Sequence, residues 1–355
     1  MPLAVRGAAL FSRAAALALV LPPPRLTTRA SAAMLCLPRG GGDDQPGEEW
    51  APDASGASSL TKGTVYIVGT PIGNLDDLTL RAARTLREVD VVASEDTRRT
   101  AVLLRHLGAS PKKQLSHHEH NARAASARVV ELARGGATVA VVSDAGTPGI
   151  SDPGALLAAE CAAAGVPLVP VPGACAAIAA LSISGFAAAG FRFGGFLPRA
   201  GRGRREALAA LVADERAAVL YESPHRVVAT LRELAAKGAG ERRCLAAREL
   251  TKLHEETARG TVSELAARYA AAQDEAGKLR GEFTIVLAPL AEEEVAARAS
   301  EARDAAQDEA RDQLRERLAT GQPLSRAVRE VAAAVGARRG AVYQIALELK
   351  DGGQE

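Results

Sequence analysis

The stretch VSDAGTPGISDPG, Val142 to Gly154, follows directly after a short apolar run and is the most informative segment of the chain. Its glycines let the backbone approach a ligand closely, and its prolines stiffen the turn. Asp144 and Asp152 add carboxylates that accept hydrogen bonds from hydroxyl or amino groups. The stretch predicts a ligand-binding loop at the carboxyl end of a strand. The same composition also suits a purely structural loop.

Short apolar runs alternate with helical stretches around this loop, which predicts a mainly parallel α/β sheet. Leu78, Ala82, Leu86 and Val89 have helical spacing behind two acidic residues that suit a helix N-terminus. The predicted strands are Val65 to Val68, Val91 to Ala93 and Thr138 to Val142, and a second helix covers Ala124 to Arg134.

A second series of elements begins near Phe191, after the Gly-rich stretch FRFGGF. The predicted strands are Ala218 to Tyr221, Cys244 to Ala247 and Phe283 to Leu287, and the helices are Arg205 to Ala213, Arg226 to Ala236 and Val262 to Ala271. Two α/β domains, residues 61–188 and 189–290, would leave a cleft between them, where ligands usually bind. Residues 291–355 are predicted to form a helical extension, with helices over 291–318, 324–335 and 338–349.

The first 60 residues differ in composition from the rest. Residues 1–42 contain arginines but no Asp or Glu, which resembles an organelle transit peptide. The apolar run Ala14 to Leu21 is too short to span a bilayer but suits the core of a signal sequence. We expect a plastid location, with the mitochondrion as the alternative and a tail without targeting function as the plain interpretation. Residues 40–60 are Gly-, Pro- and acid-rich and predict a linker.

Composition and cysteine spacing argue against a membrane-spanning, a disulfide-stabilised or a zinc-binding protein. The 355 residues carry a formal net charge of +2, so a nucleic-acid partner would need local basic patches. Nothing in the chain requires a membrane span. The four cysteines contain no C-x-x-C pair and no metal-ligand spacing, which predicts buried thiols rather than disulfides or a metal site. They are Cys36, Cys161, Cys175 and Cys244.

A second glycine-containing loop, GTPIGNLDDLTL from Gly69 to Leu80, also follows a predicted strand and opens a helix. It lacks the Lys-Ser/Thr ending of a P-loop and does not match G-x-G-x-x-G. The loop therefore lacks the usual sequence signatures of nucleotide hydrolysis and of dinucleotide binding.

Nine ordered blocks between about Gly63 and Leu349 make the chain recognisable. They are GTPIGNLDDLTLRA (69–82), SEDTRRT (94–100), HEHN (118–121), SDAGTPGISDPG (143–154), VPVPGACAAIAALSISG (169–185), GFLPRAGRGRRE (195–206), YESPHR (221–226), RELTKLHEE (248–256) and GEFTIVL (281–287). Together they resemble the bacterial 16S ribosomal RNA cytidine 2′-O-methyltransferases of the tetrapyrrole-methylase superfamily. The ordered series is far more specific than any one block.

The resemblance implies two α/β domains, a homodimer, and S-adenosylmethionine bound in the interdomain cleft. The substrate, small-subunit ribosomal RNA or the ribosomal subunit, would face Pro71, Gly73 and Asn74. The implied cofactor-binding positions are Asp144, Ala145, Gly146, Cys175, Ala176, Ala177, Tyr221, Ala247 and Thr284.

Methylation of a ribose hydroxyl requires close alignment of the reactants and benefits from a group that accepts the hydroxyl proton. The candidate bases are Glu95, Asp96, His118 and His120, and we favour Glu95. The plain alternative is that the Glu-Asp-Thr-Arg cluster caps a helix and that the histidine pair is only solvated.

RNA phosphates need basic partners, and a Gly-spaced loop offers Arg199, Arg202, Arg204 and Arg205. Arg98, Arg99, Arg248 and Lys252 would extend this surface if the blocks converge. A solvated loop is the alternative. The terminal helix pair, with arginines around its turn, resembles the helix-turn-helix extension of the RNA-directed members, and it could bind RNA or stabilise the dimer.

Two other functions compete with RNA methylation. One keeps the fold and methylates carbon atoms of a corrin or porphyrin. The other is a non-catalytic RNA-binding or subunit-assembly protein on the same fold. The RNA-type series of blocks and the basic loop disfavour the first, and the intact Gly/Pro loops disfavour the second.

Overall fold

The computed structural model describes residues 60–351, except Lys112, Pro153 and residues 187–189. The predicted leader and most of the predicted linker, residues 1–59, lie outside the described residues. Both sheets belong to one compact unit that ends at Ala291, and the C-terminal helices belong to a second unit.

The first domain is built on a parallel sheet of five strands. Its strands are β1 (Val65–Val68), β2 (Val91–Ser94), β3 (Lys113–Ser116), β4 (Val139–Val142) and β5 (Leu168–Val171). They lie in the order β3-β2-β4-β1-β5. Strands β1, β2 and β4 are mostly buried, as expected for the apolar centre of a parallel sheet.

Helices connect the parallel strands and bury the sheet. They are α1 (Leu80–Glu88), α2 (Thr97–His106), α3 (Ala122–Arg134), α4 (Gly154–Ala164) and α5 (Ala176–Ser184), with short 3-10 turns at Leu75–Asp77 and Glu119–Asn121. Thr79 caps α1 by accepting a hydrogen bond from the Ala82 amide at 3.1 Å. Apolar clusters formed by these elements stabilise the domain.

The second domain has a mixed sheet of five strands. Its strands are β6 (Phe191–Phe196), β7 (Ala217–Glu222), β8 (Arg243–Arg248), β9 (Glu256–Thr261) and β10 (Phe283–Leu287), in the order β6-β7-β10-β8-β9. Strands β6 and β7 run parallel, and the other neighbouring strands described in this sheet are antiparallel. The helices are α6 (Gly201–Ala213), α7 (Val227–Leu234), continued by a π-helical turn over Ala235–Ala239, and α8 (Val262–Ala276).

The two-sheet α/β fold is confirmed, but several local predictions are wrong. The Gly-rich stretch FRFGGF is the edge strand β6, and its register with β7 shifts between Phe193 and Gly195. The basic segment predicted as a loop becomes helical at Gly201. Polar strands β3 and β9 and helices α4 and α5 were not predicted, because their sequences lack a clear apolar period. Helix α2 was also not predicted, although its buried residues have helical spacing.

The C-terminal unit contains α9 (Glu292–Ala319), α10 (Leu324–Ala334) and α11 (Arg339–Asp351). Leu314, Val328, Val331 and Val342 are fully or almost fully buried in its own small core. Arg317 and Arg326 both pair with Glu330. The predicted C-terminal helices are confirmed, with ends that differ by one or two residues. Within the part of the chain that the structure describes, no helix is both long enough and apolar enough to cross a membrane.

Candidate active site

A cavity of about 510 Å³ opens between the two α/β domains, at the carboxyl edge of the first sheet. This is the place where open parallel sheets usually bind ligands. Its volume falls in the range of about 300–1,000 Å³ that is typical of cofactor sites. The lining includes Ile72, Glu95, Arg99, residues 143–147, residues 150–152, Cys175, Ala176, Phe196, residues 221–224, Ala247, Glu249, Leu250, Lys252 and residues 282–284.

Three adjacent strands deliver loops to the floor of this cavity, because β1 lies between β4 and β5. The Thr70 amide donates to the Gly146 carbonyl at 2.8 Å, and the Gly146 amide donates back at 3.2 Å. A side chain at Gly69 would place its Cβ 2.7 Å from the Cα of Gly173. Hydrogen bonding and close backbone contact thus hold the three loops together.

The loop after β4 has the tight backbone that its sequence predicts. Gly146 has a φ of 82°, in the left-handed region that favours glycine, and Ser151 has a φ of 67°. The Asp152 carboxylate accepts hydrogen bonds from the Gly149 and Gly154 amides at 2.6 and 2.8 Å. Asp152 therefore shapes the loop, and both Asp144 and Asp152 line the cavity. The Asp144 carboxylate accepts a hydrogen bond from the Asp96 amide at 2.9 Å and pairs with the Arg99 guanidinium at 3.3 Å.

The second domain contributes a row of three side chains across neighbouring strands. Thr284 on β10 pairs with Tyr221 on β7 and with Ala247 on β8. The Tyr221 hydroxyl accepts a hydrogen bond from the Ala177 amide at 3.1 Å, which links the row to the start of α5. All three residues line the cavity, where the sequence predicted the cofactor side of this domain.

A second cavity of about 310 Å³ adjoins the first and is more polar. Both cavities are lined by Arg99, Asp144 and Lys252. Pro71 and Gly73, predicted to face the substrate, line only the second cavity. Asn74, predicted with them, lines neither; its side chain instead caps the Leu75–Asp77 turn.

Glu95 and Asp96 are adjacent in sequence but differ in environment. Glu95 lines the first cavity, and burial, followed by repulsion from the Asp144 carboxylate, raises its pKa above the usual range. Asp96 caps α2 and binds the Arg98 guanidinium, which holds the pKa of its carboxyl far below the usual range. Asp96 thus fills the capping role that was the plain alternative, whereas Glu95 retains the position and basicity of a proton acceptor.

The two histidines predicted as bases lie outside both cavity linings. His118 and His120 stand in and beside the Glu119–Asn121 turn with ring centroids 5.9 Å apart. The neighbouring His117 is buried, and its Nε2 lies 3.0 Å from the Ser126 hydroxyl. The positions of these rings favour a local structural role.

Arg204 departs from its predicted role as an RNA contact. Its side chain is only 9% exposed, and its guanidinium binds the Glu233 carboxylate at 3.0 Å and the Thr230 hydroxyl at 2.9 Å. The side chain also donates to the Pro198 carbonyl. Arg204 is therefore a buried structural residue, because the helix that begins at Gly201 turns it inward.

The other basic residues stay at the surface or in local pairs. Arg199, Arg202 and Arg205 are exposed, and Arg202 pairs with Glu206. Arg98 pairs with Asp96, and Arg248 binds Glu256 and the Arg280 carbonyl. None of these five arginines lines either cavity.

Several lining residues were not predicted as site residues. Ile72 and Ile150 give the cavity an apolar surface, and the exposed Phe196 lies with its ring centroid 5.5 Å from that of Tyr221. Glu249 and Glu282 are also lining residues. Each stands in one of the recognised blocks, but sequence gives no sign that these blocks meet.

The match to a family model decides the class of protein. Residues 64–266 match the model described as Tetrapyrrole (Corrin/Porphyrin) Methylases. The chain belongs to this family. Residues 304–350 of this tetrapyrrole methylase also match the model described as RsmI C-terminal HTH domain.

Curated relatives narrow the class further. The chain is 41% identical over 292 residues to ribosomal RNA small subunit methyltransferase I of Synechocystis, covering 82% of this chain and 100% of the relative. It is 40% identical to the protein of the same name from Pseudomonas aeruginosa, covering 81% of this chain and 98% of the relative. The predicted family is confirmed, and with it the methyltransferase class and S-adenosylmethionine as methyl donor.

The fold also resembles solved structures. A uroporphyrin-III C-methyltransferase from Thermus thermophilus matches with a TM-score of 0.47 and 24% identity, covering 64% of this chain and 94% of that chain. Another structure of that enzyme, complexed with S-adenosyl homocysteine, matches with a TM-score of 0.47 and 21% identity, covering 63% and 97%.

The larger cavity suits S-adenosylmethionine in size and in the chemistry of its lining. Asp144 and the loop carbonyls offer acceptors for amino and hydroxyl groups, while Ile72 and Ile150 offer apolar contact. Ala177 is the one predicted cofactor position outside the lining; it is buried and contributes its amide to Tyr221. Among the described residues, no cluster of three or more His, Cys, Asp or Glu side chains is placed to hold a metal ion.

Proposed function

We propose that this protein transfers a methyl group from S-adenosylmethionine to the ribose 2′-hydroxyl of a cytidine in small-subunit ribosomal RNA. The observation that carries the proposal is the pair of adjoining cavities. One has the size of a cofactor site, and the other is polar and flanked by Arg99 and Lys252. The names of the curated relatives support a ribosomal RNA substrate.

Residues of both domains have roles in the reaction. When bound, S-adenosylmethionine would supply a methyl group activated by its sulfonium centre. The loop after β4 and the Tyr221 row would hold it on opposite sides of the cleft. Glu95 would accept the proton of the 2′-hydroxyl, since its raised pKa makes it a stronger base than an ordinary glutamate. Arg99 and Lys252 would bind the phosphates that flank this ribose.

The decisive experiment supplies tritiated S-adenosylmethionine together with small ribosomal subunits or with uroporphyrinogen. We expect label in the ribosomal RNA, in one nucleotide whose 3′ bond resists alkaline hydrolysis, because a 2′-O-methyl group blocks cleavage. Mass spectrometry of that nucleotide should identify cytidine. Label only in the tetrapyrrole would overturn the proposal in favour of carbon methylation.

Variants of the loop after β4 connect this activity to the cleft. Asp144→Ala removes an acceptor, and Gly146→Val places a β-branched side chain at a φ of 82° beside Ile72. Both should weaken S-adenosylmethionine binding in calorimetry while circular dichroism still shows a folded chain. If neither variant changes the affinity, the cofactor does not bind at this loop.

We also propose that the protein works in a plastid. The acid-free, arginine-bearing segment of residues 1–42 supports an organelle address. A fusion of residues 1–60 to a fluorescent protein should enter plastids. Import into mitochondria would redirect the proposal, and a fluorescent protein left in the cytosol would remove it.

A homodimer is the quaternary state we propose. Ile178 and Ile183 on the largely apolar helix α5 are exposed, which is unfavourable unless another surface covers them. A second copy of the chain would provide that surface. Light scattering should give twice the chain mass of 36.7 kDa. Ile178→Asp should reduce this mass, whereas Leu80→Asp, at another exposed position, should not.

A further inference from the structure

The segment after β8, Glu249 to Glu255, contacts the first-domain loop that carries Gly73. A Cβ added at Gly73 would clash with the Lys252 Cγ and would lie 2.9 Å from the Thr251 hydroxyl. Both contacts are closer than an ordinary van der Waals contact, so glycine fits at this point without displacing Lys252. The stem of Lys252 therefore rests directly on the backbone of the opposite domain.

The backbone of this segment is held in an unusual conformation. Glu249 and Thr251 have φ values of 51° and 68°, in the left-handed region that non-glycine residues seldom adopt. Such strain persists only where the surroundings impose it. Here the Glu249 amide donates to the Glu282 carbonyl, and the Glu282 amide donates to the Glu249 carboxylate, each at 3.0 Å. These two hydrogen bonds with Glu282 fix the position of Glu249 at the start of the segment.

The Lys252 ammonium bridges two carboxylates that differ in exposure. Its Nζ lies 2.8 Å from Glu249 Oε1 and 2.7 Å from Glu282 Oε2. The Glu249 side chain is 19% exposed, whereas that of Glu282 is 74% exposed. Water can therefore reach the Glu282 carboxylate but hardly the Glu249 carboxylate. A soluble anion can thus replace Glu282 on the Lys252 ammonium more readily than it can replace Glu249.

Lys252 and Glu282 both line the two adjoining cavities, whereas Glu249 lines only the larger one. The pair formed by Lys252 and the exposed Glu282 thus lies at the boundary between the cofactor-sized cavity and the polar cavity. An anion entering the polar cavity meets Lys252 with Glu282 already in place.

We propose that Glu282 occupies the position of an RNA phosphate on Lys252 and is displaced when the RNA binds. Glu249 remains bound and keeps the ammonium in place during this exchange. The inference rests on the proposed function, because it assigns the phosphate contact of that same substrate. Glu282 then weakens RNA binding, and Lys252 strengthens it.

The chemistry of the nucleotide explains why the boundary is a useful place for this exchange. The 2′-hydroxyl and the 3′-phosphate of one ribose are carried by neighbouring carbons. A cation that holds this phosphate at the mouth of the cofactor cavity also positions the hydroxyl beside the methyl donor. Lysine suits the task because it contacts phosphate as a mobile point charge.

The test measures how the full chain binds and methylates small-subunit ribosomal RNA as the salt concentration changes. Lys252→Met should lower RNA affinity about tenfold and reduce the salt slope by about one. Glu282→Gln should raise the affinity about two- to fivefold, as expected for removal of an exposed competing charge. In the Lys252→Met background, this gain should fall to the gain from the control substitution Glu275→Gln.

The matched controls are Lys278→Met and Glu275→Gln, at exposed positions that line neither cavity. The inference is overturned if Lys252→Met and Lys278→Met give the same RNA affinity and salt slope, or if the gain from Glu282→Gln is undiminished in the Lys252→Met background. Failure of the proposed function looks different, because the unaltered protein would then transfer no label to ribosomal RNA.

Discussion

Two charge-rich segments, SEDTRRT at 94–100 and RAGRGRRE at 199–206, were both predicted to serve the reaction, yet the fold uses them differently. The first follows the carboxyl end of β2 and brings Glu95 and Arg99 to the cavities. The second opens α6 and turns Arg204 into the interior. A cluster of charges therefore gives little information about its role until the element that carries it is known.

Each segment also contains residues held in local ion pairs. Asp96 and Arg98 pair with each other at the start of α2, and Arg202 pairs with Glu206 one turn along α6. Exposed pairs of this kind add little to stability. Neighbouring positions within one segment therefore provide matched controls for one another.

The largest difference should appear between Glu95→Gln and Asp96→Asn. Glu95→Gln should lower the rate of methyl transfer roughly 100-fold or more, because loss of a general base commonly costs that much. Asp96→Asn should have a much smaller effect. Single-turnover rates with saturating S-adenosylmethionine would measure both, and equal losses would remove Glu95 as the base.

The pH dependence of the same variants sharpens this test. Activity should rise as pH passes the pKa of Glu95, which burial raises above the ordinary value of a glutamate carboxyl, and Glu95→Gln should abolish that rise. The raised pKa also means that the folded state binds this proton more tightly than the unfolded state. The Glu95 contribution to stability is thus fully present at pH below the ordinary glutamate pKa and is lost as pH rises through the raised pKa of the folded state. At neutral pH, Glu95→Gln should unfold at no lower urea concentration than the unaltered protein.

In the second segment, Arg204→Met should destabilise the protein by about 2 kcal/mol, because it breaks charged hydrogen bonds to Glu233 and Thr230. Arg205→Met, one residue away and exposed, should stay within about 0.5 kcal/mol. Urea unfolding monitored by circular dichroism measures both. Equal stability of the two variants would contradict the buried role of Arg204.

A smaller effect is expected from Arg99→Met, which should raise the KM for small-subunit RNA about tenfold through loss of one charged contact. Arg98→Met is its control, since Arg98 lines neither cavity. Initial rates at several salt concentrations would separate them. Equal KM values for Arg99→Met and Arg98→Met would show that Arg99 does not contact the RNA phosphates.

The smallest effect should come from Arg202→Met combined with Arg205→Met. We expect these exposed arginines to contact RNA at the rim, so the RNA affinity should fall about two- to threefold and the salt slope should decrease, while the affinity for S-adenosylmethionine is unchanged. Titration of RNA at low and moderate salt measures this change. A slope equal to that of the unaltered protein would leave α6 with no part in RNA binding.

Sequence predicted the elements whose apolar runs are long and bounded by turn residues, such as β1, β4 and β10. It missed β6 because the glycines at 194 and 195 resemble a linker, and it missed β9 because ETARGT has no apolar alternation. It also predicted a loop where α6 begins, since Gly201 and Gly203 favour irregular structure. These are cases in which tertiary contacts override local preference.

The same division applies to the site. Asp144 and Glu95 could be predicted because they follow strands of one parallel sheet, whose carboxyl ends must meet. Glu282 could not, because its importance depends on the meeting of the 249–255 segment with the start of β10. The inward orientation of Arg204 depends on where its helix begins, which the sequence pattern alone does not determine.

The contact between Gly69 and Gly173 limits how this enzyme could be redesigned. Because a Cβ on either residue meets the backbone of the other, at 2.7 Å in each case, no trimming of nearby side chains would relieve a substitution there. Efforts to change which substrates are accepted should therefore leave this glycine pair intact and vary Ile72 or Ile150, whose side chains face the ligand space.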